Sequence, residues 1–189
     1  SGRRLLGTIN DIVEISLIET GPLRLYYSEV NLVQMMKNQY TFFRKESANK
    51  HVKLRLNKHI TGKKAIVRAD KHKLTAALKY LLHNAFKFTK EGLVEFGNEL
   101  SDNQVIFYVK DTGEGIPFDK QDIIFDRFVQ ADMKFNRPYE GSGLGLPIAK
   151  AYVEAMEGKI WMESIPGKGS TFSFSVPYFP IEAVPAGKK

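Results

Sequence analysis

Three glycine-bearing runs hold most of the residues in this chain that could handle a phosphorylated ligand. They are Asp111-Thr112-Gly113-Glu114-Gly115-Ile116-Pro117, Gly141-Ser142-Gly143-Leu144-Gly145-Leu146 and Gly167-Lys168-Gly169-Ser170-Thr171. Glycine puts no side chain in the way, so backbone N–H groups can approach and cradle an anion. The second run opens a helix, where N–H groups without helical partners and the helix dipole favour phosphate. Taken singly, each run is more often a plain turn. Asn84 and Lys87 add a different chemistry. They stand three apart in Leu81-Leu82-His83-Asn84-Ala85-Phe86-Lys87-Phe88-Thr89 and so share one helical face. An amide oxygen can ligate Mg²⁺ and an ammonium can meet a phosphate. Alone, that segment is an ordinary amphipathic helix end.

Two common phosphate motifs are excluded by context. A dinucleotide fingerprint follows a strand directly, whereas Gly141 follows the polar stretch Lys134-Phe135-Asn136-Arg137-Pro138-Tyr139-Glu140, with Gly-x-Gly-x-Gly spacing. A P-loop closes on Gly-Lys-Ser/Thr, and here Leu146-Pro147 stands in that place.

The elements that must position these residues can be read from periodicity. Residues 3–19 carry Leu5, Leu6, Ile9, Ile12, Val13, Ile15, Leu17 and Ile18, mostly at helical spacing, and Gly21-Pro22 gives a hard stop. A short helix with so broad an apolar face needs a partner helix. Residues 23–27 read as a strand, and Asn31 caps a helix to about residue 48. Strands at 52–57 and 65–68 are joined by a turn at Thr61-Gly62. Asp70 caps a helix to about residue 88 that buries Leu74, Ala77, Leu78, Leu81 and Leu82. Strands at 93–100 and 104–109 flank the turn Ser101-Asp102-Asn103. Residues 111–145 read as a long, functional loop. A helix at 144–156 and strands at 159–164 and 170–176 complete the order, with a frayed tail beyond. Neighbouring strands can pair as hairpins, which predicts an α+β fold with helices on one face of a mixed, mostly antiparallel sheet.

Composition sets the outer bounds. The 189 residues are 43% hydrophobic and 26% charged, enough for one ordinary domain with a core and a short appendage. No apolar run approaches the roughly 20 residues of a membrane span. With no cysteine, there is no disulfide framework and no thiolate metal site. These features fit a cytoplasmic protein that does not itself insert into a membrane. The net charge of +7 suits anionic partners. The basic residues are scattered, however, and no zinc-finger spacing or aromatic RNA-binding strand accompanies them. Nucleic acid is therefore not the expected partner, and nucleotide phosphates would use the same charge.

Taken together and in this order, the segments resemble the ATP-binding domain of sensor histidine kinases, in the superfamily shared with gyrase, the mismatch-repair ATPase and the heat-shock chaperone ATPase. Residues 82–89 look like the N box, 111–117 the G1 box, Phe125-Asp126-Arg127-Phe128 the F box, 141–146 the G2 box and 167–171 the G3 motif. The resemblance implies a Bergerat-type two-layer sandwich over residues 23–178, and a tail or linker at 179–189. Residues 1–22, with Asn10-Asp11-Ile12-Val13-Glu14-Ile15-Ser16, are similar to the end of a second dimerisation helix. It implies that Asp111 accepts from the adenine amino group, that Gly113 and Gly115 let the chain turn beneath the base, and that Thr171 joins a water near Asp111. Asn84 would ligate Mg²⁺ and Lys87 would meet a phosphate, these two being the catalytic pair. Gly141, Gly143 and Gly145 would close over the phosphates beside Leu144. Ile116, Phe128, Ser142 and Leu146 complete the implied cofactor contacts, and residues 129–142 would form a mobile lid anchored by Phe125 and Phe128.

Departures from the family pattern matter too. The family usually has a polar residue one turn before the N-box Asn, and here it is Tyr80. The segment Phe128-Val129-Gln130-Ala131-Asp132 is similar to hybrid kinases that carry receiver domains. None of His51, His59, His72 and His83 sits in the context of a family phosphoacceptor, which the resemblance therefore places upstream of residue 1. Of these, His83 reads as a histidine of the helix surface. The implied partners are that upstream histidine helix, a response regulator or receiver domain, and a second copy in a homodimeric parent. The implied activity is transfer of the γ-phosphate of Mg-ATP to histidine. The alternatives are a catalytically impaired nucleotide-binding adaptor of the same fold and, more distantly, a hydrolysing relative of the gyrase type, which usually has Glu where Tyr80 stands.

Overall fold

The computed structural model describes residues 2–57, 60–126 and 143–181. Helix α1 spans Gly2–Glu19 and is followed by β1, Tyr27–Asn31. The Asn31 side chain accepts the amide of Gln34 at 3.0 Å and starts α2, Leu32–Lys50. Strands β2, Val52–Leu56, and β3, Ile66–Asp70, flank a 3-10 turn at Gly62–Ala65. The Asp70 carboxylate accepts the amide of Lys73 at 3.0 Å and caps α3, Lys71–Phe88. Both cap assignments made from the sequence hold. Strands β4, Gly92–Ser101, and β5, Gln104–Asp111, form a hairpin, and the short helix α4, Phe118–Gln121, follows. Helix α5, Gly145–Ala155, and the hairpin of β6, Lys159–Ile165, with β7, Gly169–Pro177, complete the order.

The main sheet has five strands in the order β2-β4-β5-β7-β6. Among the described residues only the β2–β4 pairing is parallel, so the sheet is mixed and mostly antiparallel, as the element order predicts. Alternation puts Val94 and Phe96 of β4, Phe107 and Val109 of β5, and Phe172 and Phe174 of β7 on one buried face. Phe107 and Phe174 stack there at 4.8 Å. All five residues expected on the buried face of α3, from Leu74 to Leu82, are fully buried.

Three expectations need correction. The first strand lies at Tyr27–Asn31 rather than at residues 23–27, because ladder pairing starts only at Tyr27 opposite Asp70. Before it, the Tyr26 amide donates to the Asp70 carboxylate, and Leu23 and Leu25 alternate because they pack on two different apolar clusters. Second, β2 and β3 do not pair. β3 joins β1 in a separate two-stranded sheet, and β2 crosses to lie parallel to β4. Third, the start of the tail, as far as Ile181, is held by the small sheet. Arg68 donates its amide to Phe179 O at 2.8 Å and Ile181 donates to Ile66 O at 3.2 Å, continuing the small sheet.

Candidate functional site

The carboxyl end of α3, the loop after β5 and the β6–β7 turn meet around a cavity of about 180 Å³. Asn84, Asp111, Gly115 and Ile116, four of the residues named from the sequence, line it. Asp111 ends β5 opposite Ser170 of β7 and is 5% exposed. Burial raises its pKa, and the amides of Gly113 and Ser170 offset part of that by hydrogen bonding to the carboxylate. A buried acceptor with spare lone pairs in the wall of a cavity selects a ligand that donates there.

The loop from Asp111 to Pro117 is fixed from both sides. Glu114 donates its amide to Phe88 O, and its carbonyl accepts Gly167 N–H at 2.7 Å. Ile116 N–H donates to Ser164 Oγ at 2.8 Å, while Gln121 Nε2 of α4 donates to Ile116 O at 2.9 Å. Ser164 Oγ also lies 2.9 Å from Ser170 Oγ. A Cβ on Gly113 would stand 2.5 Å from Phe88 O. Gly115, at φ +68, would put a Cβ 2.3 Å from Ile165 O. These two glycines permit close backbone approach, and at Gly115 the positive φ is also required.

Lys87 is half-buried, and that burial lowers its pKa. Its ammonium lies over the Phe88 ring at 4.7 Å, beside the cavity rather than in its lining. Gly143, at φ +71, and Gly145 lead into α5. The Leu144 side chain is fully buried in an apolar cluster with Ile15 of α1, so only its backbone remains for a ligand. Leu146 belongs to the main core. Phe125 meets Phe172 edge-on at 6.1 Å. Phe128, Gly141, Ser142 and the remainder of the expected lid lie outside the described residues. His83 faces α2, where its ring meets Phe43 edge-on at 4.8 Å and Nδ1 lies 3.9 Å from Glu46, in keeping with a surface role.

Thr171 is the clear correction. It pairs with Lys110 and Glu163 across β7, one residue out of step with Asp111. Successive strand residues point to opposite faces, so Thr171 faces away from the cavity and Ser170 takes the position beside Asp111. Sequence reasoning also missed Phe88, Glu114, Pro117, Ile124, Pro166 and Phe172 in the lining. Strict alternation along residues 169–177 was the signal that could have placed Ser170 and Phe172 together.

An adenine nucleotide fits these polar groups: a buried carboxylate in the lining, an amide side chain at Asn84, and glycines where a Cβ would obstruct. Among the described residues there is no group of three His, Cys, Asp or Glu side chains able to hold a metal alone. A Mg²⁺ at Asn84 would therefore arrive with the phosphates that supply its other ligands.

Comparison with known proteins agrees with this geometry. Residues 69–180 match the family described as histidine kinase-, DNA gyrase B- and HSP90-like ATPase. The chain is 36% identical over 178 residues to the circadian input-output histidine kinase CikA of Synechococcus elongatus, covering 94% of this chain and 24% of that protein. It is 33% identical over 178 residues to the sensor histidine kinase WalK of Bacillus subtilis, covering 93% of this chain and 29% of that one. This chain thus spans about a quarter of the length of these relatives. The crystal structure of full-length ShkA in complex with AMPPNP superposes with a TM-score of 0.85 at 27% identity, over 97% of this chain and 38% of that one.

Proposed function

Because this chain belongs to the family of histidine kinase-, DNA gyrase B- and HSP90-like ATPases, we propose that it is the Mg-ATP-binding catalytic part of a two-component sensor histidine kinase. It would donate the γ-phosphate of ATP to a histidine on a helix upstream of residue 1. The observation that carries this reading is the buried Asp111, held by Gly113 and Ser170 in the wall of a cavity that Asn84 also lines. That ShkA holds AMPPNP in a closely superposable fold supports the same ligand class here.

Phosphoryl transfer depends mainly on positioning and on neutralising charge. Asp111 would orient the base, and Asn84 would hold Mg²⁺, whose charge offsets that of the phosphates when it is bound. Lys87 would contribute a second positive charge, restored to full strength by a neighbouring anion. The exposed apolar residues of α1, among them Leu6, Ile9, Val13 and Leu17, support a partner helix that carries the acceptor, within a homodimeric parent. A response regulator or receiver domain would take the phosphoryl group onward.

A second reading is an ATP-binding adaptor without transfer. Its support is Tyr80, whose hydroxyl donates to Asp11 rather than reaching the cavity. Calorimetric titration of ATP, with and without Mg²⁺, into wild type and Asp111→Asn tests the shared premise. Saturable binding weakened at least tenfold by the substitution is expected, and no binding at millimolar ATP sinks it. Restoring an upstream acceptor helix and following ³²P from γ-labelled ATP then separates kinase from adaptor.

A further inference from the structure

We propose that Tyr80 is a positioning residue that ties α1 to the amino end of α5 and so holds that end in place for phosphate. This rests on reading the α5 end as the phosphate side of the ATP site. Tyr80 lies one turn before Asn84 on α3, yet it does not line the cavity. Its hydroxyl donates to Asp11 Oδ1 of α1 at 3.0 Å. Three residues along α1, Glu14 accepts the hydroxyl of Tyr152, which belongs to α5. The two carboxylates share one face of α1, and that face meets both helices.

Ile15, Leu144, Ile148 and Tyr152 form a closed apolar cluster there, with Ala76 and Tyr80 against it. Leu144 is the cap residue of α5, and a leucine offers no side-chain acceptor to a helix start. Packing must fix this end instead. Leu144 is 1% exposed, and the Tyr80 ring lies so close to Gly145 that a Cβ there would come within 2.9 Å of Cδ1. The tyrosine therefore does two things: its ring supports the start of α5 and its hydroxyl holds α1.

A linkage follows. Docking of α1 and gripping of phosphate both act on residues 143–146, so each strengthens the other by the same factor. The adenine end lies elsewhere, at Asp111, and Tyr80 does not reach it. Adenosine, which carries no phosphate, is therefore the discriminating ligand.

The test measures Mg-ATP and adenosine binding to wild type, Tyr80→Phe, Asp11→Ala and the double variant by calorimetry. Amide hydrogen exchange at Ile148 and Ala149 is followed without nucleotide. One net hydrogen bond is worth about fivefold in an equilibrium constant. Each single variant should weaken ATP by about that factor, leave adenosine unchanged and speed exchange at Ile148 and Ala149. The double variant should lose less than the two singles combined, since both break the same Tyr80–Asp11 bond. Unchanged ATP affinity and exchange would overturn the proposal. So would an equal loss for ATP and adenosine, which marks general loosening. Should wild type bind neither ligand, the nucleotide reading fails separately, and exchange alone decides whether Tyr80 holds α5.

Discussion

Asp111 shows how one residue can be legible in type and yet depend on its surroundings for its chemistry. Its position before Thr112-Gly113 could be read from the chain; its burial, and the neighbour that shares its face, could not. Burial raises its pKa in the folded state. Its contribution to stability is then fully present below the unfolded carboxylate value of about 3.9 and is lost as pH rises through the higher folded value. Ionised Asp111 thus weighs against the fold at neutral pH. Thermal melting of wild type and Asp111→Asn from pH 4 to 8 should show the wild type gaining on the variant as pH falls. A constant gap would mean that Asp111 titrates like an exposed carboxyl. ATP affinity should fall over the same pH window, because protonation removes the negative charge that strengthens the hydrogen bond accepted from the ligand. Ser170 was missed for a different reason: choosing it over Thr171 needs the register of β7 against β5, which local sequence does not encode.

At the scale of elements, helices and hairpins were readable, and crossovers were not. Asn31 and Asp70 mark their helix starts through local hydrogen bonds, so short-range chemistry suffices to find them. The separation of β2 and β3 into two sheets is decided by contacts with β4 and β1, which are distant in sequence. The same non-local logic sets the loop between Asp111 and Pro117, which β6 and α4 clamp from one side. Ser164→Ala removes the acceptor of Ile116 N–H and the partner of Ser170. It should cost about 1–3 kcal/mol in denaturant unfolding and weaken ATP several-fold. Ser164→Thr, which keeps the hydroxyl, should retain both properties. If the alanine variant binds ATP like wild type, the clamp is dispensable.

For the molecule as a whole, stability resides in the sheet centre, where Phe107 of β5 stacks on Phe174 of β7. Phe174→Ala should cost about 3–5 kcal/mol, a large part of the roughly 5–15 kcal/mol available to a domain. Equilibrium unfolding in urea measures it, and a loss below about 1 kcal/mol would show that the core repacks around the gap. The α+β class was readable because strand and helix periods differ; which strand lies centrally was not.

That central pairing also ties the site to strands far apart in sequence. β4 and β5 can zip together as a local hairpin, but β7 must return past residues 112–144 and α5 before Ser170 meets Asp111. Pairing strands so far apart in sequence carries a loop-closure cost that the local hairpin does not. The cavity therefore draws on strands from both sides of that closure. A chain released from the ribosome before β7 emerges would hold Asn84 and Asp111 but lack Ser170 and Phe172, so the complete lining belongs to the finished molecule alone.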